Sequence, residues 1–269
     1  PHVPMYAPKK WFDMHPRKNI KLPLVQENDR EDLSQYAIDL TNLNHVSPTH
    51  KWVSEAGQWD HAVQSYLASV TFADHCLGLV LDALESSAYG KNTIVVLFSD
   101  HGFHLGEKER WAKRSLWEDG TRVPIIVSAP GYNAGQKSDR PAELLDVFPT
   151  LLELAGLPAD PTQEGQSLVP LMKDPNREWK HPAITSFGLG NYSVRTTRYR
   201  FIQYFDGSRE LYDLSEDPHE WKNLAANPEN KTIIEEHAAH VPKKQHPVLP
   251  GRSTGHAAYG AANAKIKKD

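Results

Sequence analysis

The chain opens without a periodic pattern of apolar positions. Its first ~55 residues are rich in Pro, Asn, Asp and His, and they predict mostly loop with short helical turns. Tyr66, Val70, Ala73, Leu77, Val80, Leu81 and Leu84 then recur at steps of three and four. That spacing gathers them into one stripe and predicts a long amphipathic helix from about Gln58 to Ser87. Tyr89-Gly90-Lys91-Asn92 supplies its stop. Thr93-Ile94-Val95-Val96-Leu97-Phe98 is an unbroken β-branched and aromatic run, the pattern of a strand buried on both faces of a parallel sheet. Val123 to Val127 predicts a second strand, ended by the Pro130-Gly131 turn. Leu144, Leu145, Phe148, Leu151, Leu152 and Leu154 return to helical spacing before Gly156 and Pro158. Helix, strand, loop, strand and helix in this order point to an α/β sandwich.

The texture changes after about residue 180. Tyr192 to Thr196, Arg200 to Phe205 and Glu210 to Leu214 are short strand candidates, with Asp206-Gly207 as the sharpest hairpin cue. A last helix is expected from about Pro228 to His240. This reads as a small antiparallel sheet with one helix, a second lobe and not a repeat of the first. From Val241 onward Lys, Gly, Ala and Pro dominate, and a disordered tail is expected. The expected organisation is therefore an α/β portion over 1–180, a small α+β subdomain over 181–240, and a tail over 241–269.

Composition narrows the partners. With 39% hydrophobic residues, 24% charged residues and a net charge of −4, the 269-residue chain is ordinary for a globular protein. No basic stripe points to nucleic acid. No run of consecutive apolar residues approaches the ~20 needed to span a bilayer, so no transmembrane segment is expected. The single cysteine, Cys76, excludes an internal disulfide framework and a thiolate zinc cluster. Its place in the helical pattern predicts a buried structural thiol. The opening Pro1-His2-Val3-Pro4, without an initiator Met or a signal peptide, is expected of the middle of a longer protein.

The candidate chemistry begins where the first strand ends. Asp100-His101-Gly102 places a carboxylate and an imidazole together at a strand's carboxyl end, where open α/β sheets hold their ligands. Both side chains can reach one metal ion, and Gly102 allows a sharp turn. The competing reading makes Asp100 a turn cap and His101 an ordinary loop residue. The next segment, Gly102 to Lys113, is too charged for a core and too rich in Gly, His and Trp for a passive linker. Lys113 offers a compact cation for a tetrahedral oxyanion, or else is a solvated surface lysine.

Phe98-Ser99-Asp100-His101-Gly102, Leu105-Gly106-Glu107, Trp111-Ala112-Lys113, Arg122-Val123-Pro124-Ile125-Ile126 and Ala129-Pro130-Gly131 together resemble the sulfatase family of the alkaline phosphatase superfamily. So do the stretch from Asp146 to Pro158, Leu211-Tyr212-Asp213-Leu214, and Asp217-Pro218 with Glu220 and Asn223-Leu224. The opening Pro1 to Lys9 is similar to the iduronate-2-sulfatase-like branch. The resemblance covers most of residues 1 to 240 in one order. It implies an alkaline-phosphatase-like α/β sandwich with a small C-terminal antiparallel sheet plus helix, and hydrolysis of sulfate esters, with a sulfated carbohydrate as the substrate. It further implies that Asp100 and His101 ligate a divalent cation, usually calcium, that Lys113 holds the sulfate, and that His2 contacts the sulfate or protonates the leaving group. Trp111 and His104 are expected to line the substrate pocket. A periplasmic, secreted or lysosomal location is expected from the same resemblance.

The nucleophile of that family is a formylglycine made from a Cys or Ser in a Cys/Ser-x-Pro/Ala-x-Arg motif, and its hydrated aldehyde attacks sulfur. Asp74-His75-Cys76-Leu77-Gly78 does not fit that motif, and no other segment does. The chain is thus expected to be a fragment, a processed subunit or a truncated homologue that needs a missing N-terminal half. Two alternatives stay open: a phosphatase, phosphodiesterase or phosphonate hydrolase of the same superfamily, and a non-catalytic remnant of the fold.

Overall fold

The computed structural model describes residues 4–42 and 47–245. His2 and residues 246–269 of the expected tail lie outside them.

The N-terminal region forms short helices, as its composition predicts: α1 (Lys9–Asp13), α2 (Gln35–Thr41) and α3 (His50–Glu55). Ser34 and Thr49 start the latter two, each side chain accepting a backbone N–H three residues on. The long helix α4 spans Trp59–Glu85. Its inward face is the one carrying Val63 and Ala68, against which α1 packs; Trp11 of α1 lies 5.9 Å from the Phe72 ring and 4.9 Å from His75. The apolar stripe read from the sequence turns mostly outward from Val70, with Val70, Val80 and Leu81 all exposed. Cys76 is likewise exposed, which corrects its reading as a buried thiol. At 27 residues α4 is also long and apolar enough to cross a membrane by length and composition. The search for an unbroken apolar run missed this because polar residues such as Asp74 and His75 interrupt the helix.

β1 (Val95–Phe98) pairs antiparallel with β4 (Ile125–Ser128), Leu97 opposite Ile126. The sequence pattern predicts a parallel partner and two covered faces, and both expectations are corrected here. Phe98 and Ile126 are about half exposed, because no further strand joins this two-stranded ribbon among the described residues. Between β1 and β4 lie a small hairpin, β2 (His104–Leu105) with β3 (Trp111–Ala112), and the one-turn helix α5 (Glu118–Thr121). Helix α6 (Val147–Leu154) and the short α7 (Val169–Lys173) follow.

The last part is a four-stranded antiparallel sheet in the order β5 (Ala183–Ser186), β6 (Tyr192–Arg195), β7 (Tyr199–Gln203), β8 (Arg209–Asp213). The strand β5, which the sequence reading did not single out, joins it at one edge. Alternation of side chains splits the sheet into two buried faces. Val194, Phe201 and Leu211 pack with Ile234 of α8 (Lys231–Ala238). Ile202 and Tyr212 point the other way, onto Tyr36, Ala37 and Leu40 of α2 and onto Leu116 and Trp117. The central core is therefore built from both sides of residue 180. Glu143 ties them further, its carboxylate accepting the Ile184 N–H at 2.6 Å.

Candidate functional site

Asp100, His101 and Gly102 leave the end of β1 and turn against α5. The Gly102 N–H donates to the Gly120 carbonyl at 3.0 Å. A Cβ on Gly102 would lie 2.0 Å from the Asp119 carbonyl oxygen, so the glycine is required by close backbone approach, not by a positive φ. This presses the turn onto the helix and fixes where the two preceding side chains emerge. Ser99 Oγ donates to the His101 carbonyl at 3.0 Å and closes the turn.

The His101 ring is oriented from behind. Its Nδ1 lies 2.8 Å from the Gly102 carbonyl, so in the neutral ring Nδ1 carries the proton and Nε2 the lone pair. Nε2 faces two groups, Asp100 Oδ2 at 3.5 Å and Lys113 Nζ at 2.7 Å. Lys113 donates to it.

Lys113 is carried by a strained segment. Gly106, Lys108, Glu109, Ala112 and Arg114 all have positive φ, four of them without the freedom of glycine. Lys108 holds this segment down. Its fully buried ammonium sits 2.8 Å from Asp29 Oδ1, donates to the Glu220 carbonyl, and lies 5.1 Å from the Tyr212 ring centre. Arg110 Nη2 donates to the Lys113 carbonyl at 3.2 Å. The strain is thus met by one buried ion pair and by bonds that end on the residue of interest.

Asp100, His101 and Lys113 share the wall of one cleft of about 920 Å³. Trp111 and His104 are not among the residues that line it. Trp111 is buried, its indole N–H on His50 Nδ1 at 3.2 Å and its ring stacked on that imidazole. His104 is wholly buried, with Nε2 2.6 Å from Ser115 Oγ and its ring edge-on to Trp117. Burial, and after it the charge of Arg110, push His104 down to about 3, so it is neutral throughout the usual pH range.

The cleft also holds residues that local pattern reading did not find. Arg122, Arg140, Arg195 and Arg200 line it, the last two from the C-terminal sheet. Arg200 is nearly fully buried and contacts Glu118 and Glu220. Burial acts to raise Glu118, but Arg200 and Arg195 outweigh it and hold the carboxyl below its ordinary range. Glu220 goes the opposite way: burial pushes it up to about 7 against the pull of Arg200. Glu118 lies 82 positions from Arg200 and 102 from Glu220, and no spacing rule would have joined them. Arg140 is fixed differently, through bonds from Nε and Nη2 to the carbonyls of Arg177 and Asn176 at 2.9 and 2.8 Å. Among the described residues no carboxylate pairs with it within 4.0 Å, so its charge faces the cleft uncancelled.

The donor set at Asp100 and His101 fits a divalent cation. Two donors on one ion with bonds near 2.4 Å at right angles stand about 3.4 Å apart. The observed 3.5 Å matches this spacing, and an ion there takes the Nε2 lone pair that Lys113 Nζ now occupies, so the lysine must swing away. The Nδ1 bond to the Gly102 carbonyl is the outer support a ligating imidazole requires.

Comparison with known proteins gives the family. A family model described as Sulfatase matches residues 1–157, and one described as N-sulphoglucosamine sulphohydrolase, C-terminal, matches residues 106–246. A sulfatase of Formosa agariphila is 44% identical over 243 residues, which are 90% of this chain and 48% of that protein. A Delta 4,5-hexuronate-2-O-sulfatase of Bacteroides thetaiotaomicron is 30% identical over 84% of this chain and 51% of its own length. The solved structure of a 2-O GAG sulfatase superposes with a TM-score of 0.63 at 26% identity, covering 82% of this chain and 51% of that one. The chain spans about half the length of the curated relatives it matches, and its α/β fold is that of alkaline-phosphatase-like sulfatases. With more than half of its residues under the family model and the expected carboxylate, imidazole and lysine facing one cleft, the chain belongs to the sulfatase family.

Proposed function

We propose that this chain forms part of a sulfuric ester hydrolase acting on a sulfated carbohydrate, and that a segment carrying the nucleophile completes its site. The observation that carries the reading is the convergence of Asp100, His101 and Lys113 within hydrogen-bonding or ion-pairing distance at one wall of the cleft. Asp100 and His101 would hold the divalent cation. Calcium is proposed on the family resemblance, with the remaining oxygen donors a hard cation needs supplied by the segment that completes the site. The cation, when bound, supplies fixed positive charge opposite the sulfate oxygens. Lys113 does its work as an ammonium. Resting on His101 Nε2, it stands within one side-chain rotation of any anion bound beside that ring, and donates to a sulfate oxygen once the lone pair of Nε2 is engaged elsewhere. His2 is proposed as the proton donor to the departing alcohol; it lies outside the described residues and rests on the family resemblance alone.

For the substrate we infer a sulfated uronic acid or amino sugar. Two things support this: the similarity to a hexuronate-2-O-sulfatase, and the Arg140 guanidinium at the cleft without a carboxylate partner among the described residues, which suits a substrate with more than one anionic group. The iduronate-2-sulfatase-like branch is the finer form of this reading, supported by the Pro1 to Lys9 opening.

The test is made on the full-length protein that contains this chain. Its complete reading frame is searched for a Cys/Ser-x-Pro/Ala-x-Arg segment, and the protein is assayed in parallel on 2-O-sulfated uronates, an aryl sulfate and an aryl phosphate. Turnover of the sulfates supports the reading. Turnover of phosphate alone would move the chain to the phosphate-ester side of the superfamily. Absence of both the motif and any turnover would make it a non-catalytic relative.

A further inference from the structure

We propose that His104, Glu107 and Asp119 form a second cation site, one that takes a borderline divalent transition ion such as Zn2+ and clamps the Lys113 segment to α5.

The three side chains each offer one donor atom, and these atoms lie within 4.8 Å of one another. Tetrahedral zinc with bonds of 2.0–2.2 Å wants its donors roughly 3.3–3.6 Å apart, so the set closes with an adjustment of about 1 Å. Asp119 is exposed and can make most of that movement. Its exposure also leaves a coordination position open to water.

His104 gives a second reason, independent of the carboxylates. It is 0% exposed, and its Nδ1 has no hydrogen-bond partner among the described residues. Such an atom costs on the order of 1–3 kcal/mol unless something satisfies it. In the tautomer whose Nε2–H donates to Ser115 Oγ, Nδ1 is the nitrogen left for a ligand, and Ser115 is then the outer support of the ring. Gly120 keeps room at the ring: a Cβ there would lie 2.2 Å from Ser115 Oγ and 3.0 Å from His104 Nε2. The ring is held neutral, the form that can ligate.

The carboxylates leave room for a cation too. Glu107 spends Oε2 on the Leu105 N–H at 2.6 Å, which aims the group and leaves the second oxygen. Burial raises Glu107 and, although Asp119 is exposed as a residue, partial burial of its carboxyl group raises it too. Each carries an added rise from a neighbouring carboxylate, Asp119 for the first and Glu118 for the second. The cations acting on His104 are committed elsewhere, Lys108 to Asp29 and Arg110 to Ser47 and the Lys113 carbonyl. Of those acting on Asp119, Arg200 pairs with Glu118 and Glu220, while Arg122 lies 3.9 Å from Glu118. One imidazole and two carboxylates are a mixed nitrogen and oxygen set, which ranks Zn2+ above Mn2+ and far above a hard ion such as Ca2+. An ion here would join β2, the loop at 107 and α5, and so brace from the inside the segment whose positive-φ residues flank Lys113. The site shares no ligand with Asp100 and His101.

The experiment is calorimetric titration of ZnCl2 into the chain carrying Asp100→Asn and His101→Gln, which silences the other candidate cation pair. We expect one Zn2+ per chain, and a loss of affinity of more than about tenfold on adding either Asp119→Asn or Glu107→Gln. Circular dichroism in EDTA checks that each variant is folded. Asp119 is exposed, so its variant keeps the test readable should Glu107→Gln fail to fold. A CaCl2 titration of the same chain is expected to be silent. No saturable Zn2+ binding in the silenced chain, or binding that Asp119→Asn leaves unchanged, would overturn the site.

Discussion

Lys113 Nζ rests 2.7 Å from His101 Nε2, so the lysine expected to hold the sulfate and the imidazole expected to hold the metal form one unit. The two roles separate under mutation. In the full-length protein Lys113→Ala should lower kcat on an aryl sulfate by on the order of a hundredfold, the usual cost of one lost oxyanion donor, while metal content stays as in the parent. Asp100→Ala should instead lower metal content, read by elemental analysis after dialysis. Full activity in both variants would remove this turn from the site.

Gly102 provides the second test. A methyl group there meets the Asp119 carbonyl at 2.0 Å, and neither backbone can retreat without breaking the Gly102–Gly120 hydrogen bond. Gly102→Ala should cost about 2–3 kcal/mol in a urea titration. Gly78 is the control. It sits inside α4 with nothing within 4 Å of an added Cβ, and Gly78→Ala should stabilise the chain by about 0.5–1 kcal/mol. Equal effects of the two substitutions would mean that backbone crowding does not shape the turn.

What could be read from sequence divides along a physical line. Elements set by local periodicity came through: α4 lies within two residues of its expected ends, and β6, β7 and β8 fall where alternation places them. The Asp100-His101 turn was legible because strand, turn and site are contiguous. Partners were not legible. The run at 93–98 carries no signal that tells an antiparallel neighbour from a parallel one, and the stripe of α4 does not say what covers it. The expectation that Trp111 and His104 line the substrate pocket comes with the family resemblance and carries no information on their burial. Their burial depends on His50 and Ser115, which sequence alone does not bring near. The network of Glu118, Arg200 and Glu220 was invisible for the same reason.

Lys108 and Asp29 test how the strained segment is held. Both are about 1–2% exposed and lie 2.8 Å apart. Lys108→Met strands a carboxylate that burial already pushes upward, and should cost roughly 3–5 kcal/mol. Adding Asp29→Asn removes the stranded charge and should recover a large part of that loss. The readout is the midpoint of chemical unfolding for the two single variants and the double variant. Strict additivity across this cycle would mean that the pair is not coupled.

Glu220 makes stability depend on pH in an unusual direction for a carboxyl group. Its folded pKa is pushed up to about 7 by burial, above the ordinary 4.5, even though Arg200 Nε stands 2.6 Å from its Oε1. Between those two values the folded chain binds a proton that the unfolded chain has released. Stability from this group is therefore full below pH ~4.5 and declines as pH rises towards 7. The shift corresponds to about 3 kcal/mol as an upper bound, with the pull of Arg200 and of the Glu118 N–H towards the charged form already included in it. Glu220→Gln removes the proton-linked term and keeps an acceptor for the Glu118 N–H. The variant's unfolding free energy, measured from pH 5 to pH 8, should fall less steeply than the parent's across this range. A parent whose stability rises from pH 5 to pH 7 while the variant's stays flat would show that the ion pair with Arg200, and not burial, governs the charge of Glu220.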